Sequence, residues 1–379
     1  MEVKGNILKI LLIPVENVNH PEADIRLVPT MSVLSKKGEI VGLEFIHEIT
    51  FESSRDLFTK KKLIGYINLI FYLIKTLTYG LRHLKRIDLI FCEHLYSTLV
   101  GSVLSVVGRK PCIWDSHGNL LEACRQLNNS NFYTKLTMLL ENMMKKIPKV
   151  IVVPTELDKQ LYIKQGFEPN KIVVIPVGVD LSVIKKIMGD KSKIRERLGL
   201  SLNKKILIFT GSRTYFPNKE AAYWINNELA QAIVENFNDV QIIITGHGET
   251  PLDVNPIVTF TGFVPNIYEY IFASDLCLAP VILDNGISTK LLDFMSCGRP
   301  AIVLPSTVKG MPQLVDGKNI IIAKDKDEFI VKTIDTLNAL DTAKEIGLNA
   351  RKIIEKYYNW EVLQEEWSKL IDKTLTNVS

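Results

Sequence analysis

The sequence predicts an α/β protein built from two doubly wound parallel sheets. Three observations predict it. Short β-branched apolar runs recur along the chain, and each is followed by a longer helical stretch. The runs are continuous rather than alternating, as strands read when helices cover both faces of a parallel sheet. At 379 residues the chain also exceeds one ordinary core, so two domains are expected.

The first series of runs is "ILKILLIPV" (7–15), "IDLIFC" (87–92), "PCIWD" (111–115), "KVIVVP" (149–154) and "KIVVIPV" (171–177). The second is "KILIFTG" (205–211), "VQIIITG" (240–246), "IVTFTG" (257–262), "LCLAPV" (276–281), "PAIVLP" (300–305) and "NIIIA" (319–323). A charged, helix-prone stretch near 178–203 separates them. The expected division is therefore a first domain over 1–178, a second over 179–360 and a last helix over 361–379. That helix carries Val362, Leu363, Trp367, Leu370 and Ile371 on one apolar face, and is expected to pack back on the first domain. Open α/β sheets bind ligands at the carboxyl ends of their strands. The residues that follow each run are therefore the ones to read for function.

Bulk properties narrow the classes. A chain with 46% hydrophobic and 23% charged residues and no low-complexity tract is globular. Residues 1–178 hold about 23 basic and 17 acidic side chains, a mild excess that fits an anionic acceptor or surface. No basic stripe interleaves with aromatics, so nucleic acid is not an expected partner. Cys92, Cys112, Cys124, Cys277 and Cys297 are scattered, without a CxxC or a metal-ligand spacing, and read as buried thiols in a reducing compartment. The opening "MEVKGNILKILLIPV" is too short in apolar length for a secretory signal, so the cytoplasm is expected. The segment 62–81, "KLIGYINLIFYLIKTLTYGL", is interrupted by Asn68 and Lys75 and does not read as a spanning helix. Packing on the first sheet is the favoured reading. Peripheral contact with the inner face of a membrane is the other, because "KKK" (60–62) and "RHLKR" (82–86) flank the segment.

The stretch "DNGISTKLLDFMSCGRP" (284–300) carries the most chemistry. Ser288 stands where an N-cap is expected, Leu291, Leu292, Phe294 and Met295 form an apolar face, and Gly298 with Pro300 ends the helix. A strand that feeds such a helix start offers backbone N–H groups to a phosphate, with Lys290 beside them.

Six motifs in order make the chain resemble the retaining glycosyltransferases of family 4. They are "DSHG" (115–118), the run 150–180, "ILIFTGSRTYFPNKEAAYWI" (206–225), "ITGHGE" (244–249), "VTFTGFVPNIYEYIFASDLCLAPV" (258–281) and "NGISTKLLDFMSCGRPAIV" (285–303). The resemblance implies the GT-B fold, two facing Rossmann-like domains with a cleft between them. It implies transfer of a sugar from a nucleoside-diphosphate sugar to a glycan or polyprenyl-linked acceptor with retention. No metal and no cofactor beyond the donor are implied.

The resemblance also implies roles. Asp293 would accept hydrogen bonds from the donor ribose diol. Gly286, Ile287, Ser288, Thr289 and Lys290 would hold the diphosphate with Ser212 near it, and Arg213, with Lys219 second to it, would be the catalytic cation that neutralises the departing diphosphate. Gly246 would lie close to the nucleotide, and Phe263 and Val264 would form the base loop. His117 would orient the donor sugar or the acceptor, and His94 would sit on the acceptor side. The family's carboxylate pair falls on Asn285 and Asp293 rather than two glutamates, so Asp284 is the electrostatic candidate for the first. That departure leaves a nucleotide-binding partner subunit without catalysis as an alternative. A nucleotide-sugar 2-epimerase of similar architecture is a second one, disfavoured by the ordered motifs.

Overall fold

The protein is described from a computed structural model, which covers residues 7–14, 26–41, 62–126, 131–282 and 286–376. Its contacts divide the chain into two units. Unit 1 is Met1–Val177 with Leu363–Ser379, and unit 2 is Gly178–Val362.

Unit 1 begins β1 (Lys9–Ile13), α1 (Leu27–Lys37), β2 (Glu39–Val41), α2 (Lys62–His83), β3 (Leu89–Glu93) and α3 (His94–Gly108). It continues β4 (Cys112–Asp115), α4 (Leu120–Gln126), α5 (Asn131–Met144), β5 (Val150–Val153), α6 (Glu156–Lys164) and β6 (Ile172–Val174). The strands form a six-stranded sheet in the order β2-β1-β3-β4-β5-β6, parallel throughout. The order reverses between β1 and β3, and such switch points open a crevice at the strands' carboxyl ends. Glu93 and His94 lie there.

Unit 2 begins α7 (Leu181–Ile187), α8 (Lys191–Arg197), β7 (Lys205–Thr210), α9 (Phe216–Trp224), α10 (Ala230–Val234), β8 (Val240–Thr245) and β9 (Val258–Gly262). After α11 (Ile267–Ala273) come β10 (Leu276–Ala279), α12 (Thr289–Ser296), β11 (Ala301–Val303), α13 (Pro305–Val308) and β12 (Ile321–Ile322). The helices α14 (Lys326–Asn338) and α15 (Leu340–Ile353) follow. Its sheet runs β12-β11-β10-β7-β8-β9, again parallel. Here the reversal lies between β7 and β10. The loops after those two strands carry "GSRTYFPNK" and "GISTK".

Both sheets are buried on both faces, which is why their strands read as unbroken apolar runs. In unit 1, Ile90, Cys92, Leu104 and Tyr72 pack on one side of the sheet, while Trp114, Tyr162 and Phe167 form an aromatic cluster. In unit 2 the core centres on Leu207, Phe209, Ile242, Ile244, Trp224 and Phe329. The strand β2 was not among the expected runs. It has only three residues at the sheet edge, and none of them is buried.

The last helix, α16 (Trp360–Thr376), returns to unit 1. Trp367 is fully buried against Phe91, with ring centroids 5.6 Å apart. Lys37 pairs with Asp372 at 2.6 Å, and Lys149 donates to the Thr374 carbonyl at 3.0 Å. Where the chain enters and leaves unit 2, Val179 bridges Asn359. The Val179 N–H donates to the Tyr358 carbonyl at 2.8 Å, and the Trp360 N–H to the Val179 carbonyl at 3.1 Å.

Trp367→Ala should remove a full aromatic anchor. Unit 1 is expected to lose about 3–5 kcal/mol in denaturant unfolding, whereas a change below ~1 kcal/mol would show that the helix does not hold the unit together.

Candidate functional site

Unit 1 gathers charge at its switch point. Asp115 ends β4 and is fully buried, as is Arg26 at the start of α1. The guanidinium chelates the carboxylate: Nε donates to both oxygens at 3.0 and 2.9 Å, and Nη2 donates to Oδ1 at 2.7 Å. Nη1 donates to the Ile175 carbonyl at 2.7 Å. Burial alone would push the Asp115 carboxyl up. The Arg26 charge, helped by His117, outweighs it and holds Asp115 below the usual carboxylate range.

His117 Nε2 lies 3.6 Å from Glu93 Oε1 and 3.7 Å from Asp115 Oδ2. Its ring lies beside that of His94, with centroids 4.0 Å apart. His94 itself adopts φ of 58°, a left-handed conformation unusual for a residue with a side chain, at the tight turn from β3 into α3. Glu93, Asp115 and His117 bring one ligand atom each to within 4.8 Å of one another, a spacing that could hold a metal ion. The sequence reading expected no such set, because its members come from the ends of two different strands. Asp115 is already chelated by Arg26, so the group reads first as a charge cluster that fixes His117.

Unit 2 brings the glycine-bearing loops together. Gly211 and Gly246 have φ of 146° and 114°, and a Cβ on Gly246 would sit 2.3 Å from the Gly211 carbonyl oxygen. Only glycine allows loops to approach that closely. A register shift between Ile244 and Thr245 pairs Thr245 with Gly262 and sets the β9 loop beside this edge.

Arg213 is anchored by part of its guanidinium, and Nη1 is left without a hydrogen-bond partner. It is 3% exposed, and its Nε and Nη2 donate to the Glu249 and Gly248 carbonyls at 3.0 and 2.9 Å. Its guanidinium lies 5.1 Å from the centroid of the Phe260 ring. The two nearby carbonyls draw the charge inward, so Arg213 ties the 246–249 turn to the 211–214 loop. Lys219 pairs with Glu249 at 3.2 Å on the surface. Ser212 Oγ contacts Thr214 Oγ1 at 2.8 Å.

Lys290 Nζ donates to Asn218 Oδ1 at 2.6 Å over the Phe209 ring, and Asn218 Nδ2 donates to the Ser212 carbonyl at 3.1 Å. The Lys290 ammonium is thus placed by the β7 loop. Ser288 occupies the N-cap position of α12, but its side chain makes no capping bond. Its carbonyl accepts from the Leu291 and Leu292 N–H groups at 3.1 Å, so the expected hydroxyl cap is replaced by the backbone turn. Ile287 anchors the turn in the core, Thr289 is exposed, and Gly286 takes φ of 87°. Asp284 and Asn285 lie outside the described residues.

Asp293 points from α12 toward α11, where the Tyr268 hydroxyl donates to Oδ1 at 3.1 Å. Burial pushes the Asp293 carboxyl up to about 7, and the Tyr268 bond pulls the other way. Phe263, exposed beside Val264, stacks on His247 with centroids 4.9 Å apart and planes 12° apart. Arg26, Asn218, His247 and Tyr268 were missed from sequence. Asn218, His247 and Tyr268 each stood inside one of the six motifs, whereas Arg26 stood in none.

Comparison with known proteins gives the context. The family described as "Glycosyl transferases group 1" matches residues 204–339, and "Glycosyltransferase Family 4" matches 47–183. The chain is 25% identical over 279 residues (69% of this chain and 67% of the relative) to the UDP-Gal:alpha-D-GlcNAc-diphosphoundecaprenol alpha-1,3-galactosyltransferase of Escherichia coli. An uncharacterized glycosyltransferase of Methanocaldococcus jannaschii is 26% identical over 73% of this chain and 72% of its own length. Among solved structures, an Anabaena protein in complex with UDP and glucose superposes with a TM-score of 0.70 at 16% identity, covering 97% of this chain and 100% of that one. The sucrose-phosphate synthase of Thermosynechococcus elongatus gives 0.73 at 15% identity, covering 98% and 100%. At these identities the structural matches show the fold alone.

The Tyr268–Asp293 contact has a titration signature. An acid whose folded pKa is raised binds an extra proton in the native state between about pH 4 and 7. Stability is therefore gained below that window and lost as pH rises through 7. Tyr268→Phe removes the one group that lowers the Asp293 pKa, so the NMR-detected Asp293 titration should move to higher pH. An unmoved midpoint would show that the phenol does not act on this carboxyl.

Proposed function

The chain belongs to the group 1, family 4 glycosyltransferases, and on that premise we propose that it moves a sugar from a nucleoside-diphosphate sugar to a lipid-linked or glycan acceptor with retention of anomeric configuration. The observation that carries this reading is the switch-point edge of unit 2. There the closely approaching Gly211 and Gly246 loops lie at the same sheet edge as the start of α12, which carries Lys290 and the partly buried carboxylate of Asp293.

Each part has a chemical use. The start of α12 presents N–H groups without intrahelical partners, and Gly286 brings no Cβ to keep a diphosphate away. Lys290, placed by Asn218, adds charge that favours departure of the nucleoside diphosphate. Asp293, with one oxygen held by Tyr268, offers the other to a ribose diol. The Phe263–His247 pair offers an aromatic surface for the base. Arg213 holds the 246–249 turn through Nε and Nη2 and leaves Nη1 without a hydrogen-bond partner, so it keeps its assignment as the cation beside the diphosphate. Asp284 keeps its assignment as the carboxylate beside the transferred sugar, where positive charge develops.

In unit 1, His117 and His94 are assigned to sugar and acceptor hydroxyls. The Glu93 and Asp115 carboxylates, 3.6 and 3.7 Å from its Nε2, orient His117. The Escherichia coli relative is named for a diphosphoundecaprenol-linked acceptor, which supports the lipid-linked choice. Such an acceptor would bring the protein to the cytoplasmic face of a membrane. No described helix is long and apolar enough to cross one.

Nucleotide binding should report Asp293 directly. The ionised carboxylate is the better diol acceptor, so affinity for UDP- or GDP-type ligands should rise with pH and level off above about 7. Calorimetric titration from pH 6 to 8.5 measures this. Asp293→Asn should weaken binding by about 1–3 kcal/mol and flatten the profile. A sloping profile in the variant would assign the proton elsewhere. His117→Ala should lower turnover far more than nucleotide affinity, and equal losses would remove it from the transfer step.

A further inference from the structure

Three helices lie side by side on one face of the unit 1 sheet. α2 packs on α3 so closely that a Cβ on Gly80 would sit 2.3 Å from Leu104. α3 packs on α5, where Ser102 Oγ donates to Met144 Sδ at 3.1 Å. Their inner faces enter the core through Tyr72, Leu104 and Met144. Their outer faces are unusual for a globular surface.

α2 exposes Phe71 at 61% and Ile74 at 56%, α3 exposes Val106 and Val107, and α5 exposes Leu139 and Met143. The spacing on α2 is helical, since Phe71, Ile74, Thr78 and Leu81 form one exposed stripe. Single exposed apolar residues need no explanation, but a band of them across three adjacent helices does.

The charge on these faces selects the partner. α2 and α3 contain no Asp or Glu, and the one acid of α5, Glu141, is buried. Cations are interleaved: Lys75 and Arg82 on α2, Arg109 at the end of α3, and Lys135 and Lys146 on and after α5 are all exposed. Helix dipoles account for Arg82, Arg109 and Lys146 at carboxyl ends. They do not account for Lys75 in the middle of α2 or Lys135 in the first half of α5. Among the described residues of these three helices, an apolar band with cations and no exposed acid matches the acyl–headgroup boundary of an anionic bilayer.

We propose that the outer face of α2, α3 and α5 is a docking surface for an anionic lipid bilayer. Phe71, Ile74, Val107 and Leu139 enter the acyl boundary, while Lys75, Arg82 and Lys135 meet the headgroups. The inference deepens the lipid-linked reading of the acceptor by naming the surface that meets the membrane. Its evidence is nonetheless separate, because vesicle binding needs neither donor nor acceptor.

Flotation of the full chain with vesicles tests it. The protein should float with phosphatidylglycerol–phosphatidylcholine vesicles, less so at high salt, and not with phosphatidylcholine alone. Lys75→Glu and Lys135→Glu should each lower the partition coefficient at least about fivefold. The pair Phe71→Ser and Ile74→Ser should abolish flotation. These positions are exposed, so melting temperature and UDP- or GDP-induced thermal stabilisation should stay at wild-type values. No flotation, equal flotation with both vesicle types, or wild-type flotation of the variants overturns the proposal. So does a wild-type dimer in light scattering that Phe71→Ser with Ile74→Ser converts to monomer, because the face would then be covered by a second copy. Loss of nucleotide binding with flotation intact would count against the sugar-transfer reading alone.

Discussion

A single buried ion pair organises unit 1. Arg26 and Asp115 are both removed from water, and desolvation costs several kcal/mol per ion in a protein interior. Only near-ideal geometry offsets that. The planar guanidinium supplies it, with three bonds to the carboxylate and one to the Ile175 carbonyl. One side chain therefore fastens the start of α1 to the ends of β4 and of the β6 segment. The Trp367 ring covers the same guanidinium, its centroid 5.3 Å away, so the returning helix depends on the pair as well. His117 takes its position from the carboxylate that Arg26 has neutralised.

The two candidate sites solve the problem of buried charge in opposite ways. Around Asp115, cations compensate the acid and hold it ionised. Around Asp293 the described neighbours are a phenol, a thiol and apolar side chains, and the carboxyl shifts toward neutrality instead. The first arrangement is rigid whether or not a ligand is present. The second leaves a group whose charge changes near neutral pH, so a ligand that hydrogen-bonds the ionised form alters its protonation.

Much of this was legible in the sequence, and the limits have physical causes. Doubly covered parallel strands announce themselves as unbroken apolar runs, so eleven of the twelve strands among the described residues could be placed and the edge strand β2 could not. Glycines mark places where backbone must come close: a Cβ on Gly246 would clash with the Gly211 loop, and one on Gly211 with the Asn218 side chain. Direction was not legible. Arg213 follows a strand as a phosphate-binding cation would, and only the structure shows that two of its nitrogens also bond carbonyls of the 246–249 turn. Arg26 sits in a stretch without periodicity, and its partner is 89 residues distant. Tyr268 reads as one more aromatic of an amphipathic helix, and only the placement of α12 beside α11 gives its hydroxyl a purpose.

The path of the chain has a consequence for synthesis. Unit 2 is one uninterrupted segment, Gly178–Val362, whereas unit 1 is completed by Leu363–Ser379. Domains commonly finish in the order in which they leave the ribosome. Here that order is reversed at the last step. The slot beside Phe91 and Arg26 that Trp367 fills stays open until the segment after unit 2 has been made. During that interval the core of unit 1 has an uncovered apolar seam while the whole of unit 2 is being synthesised.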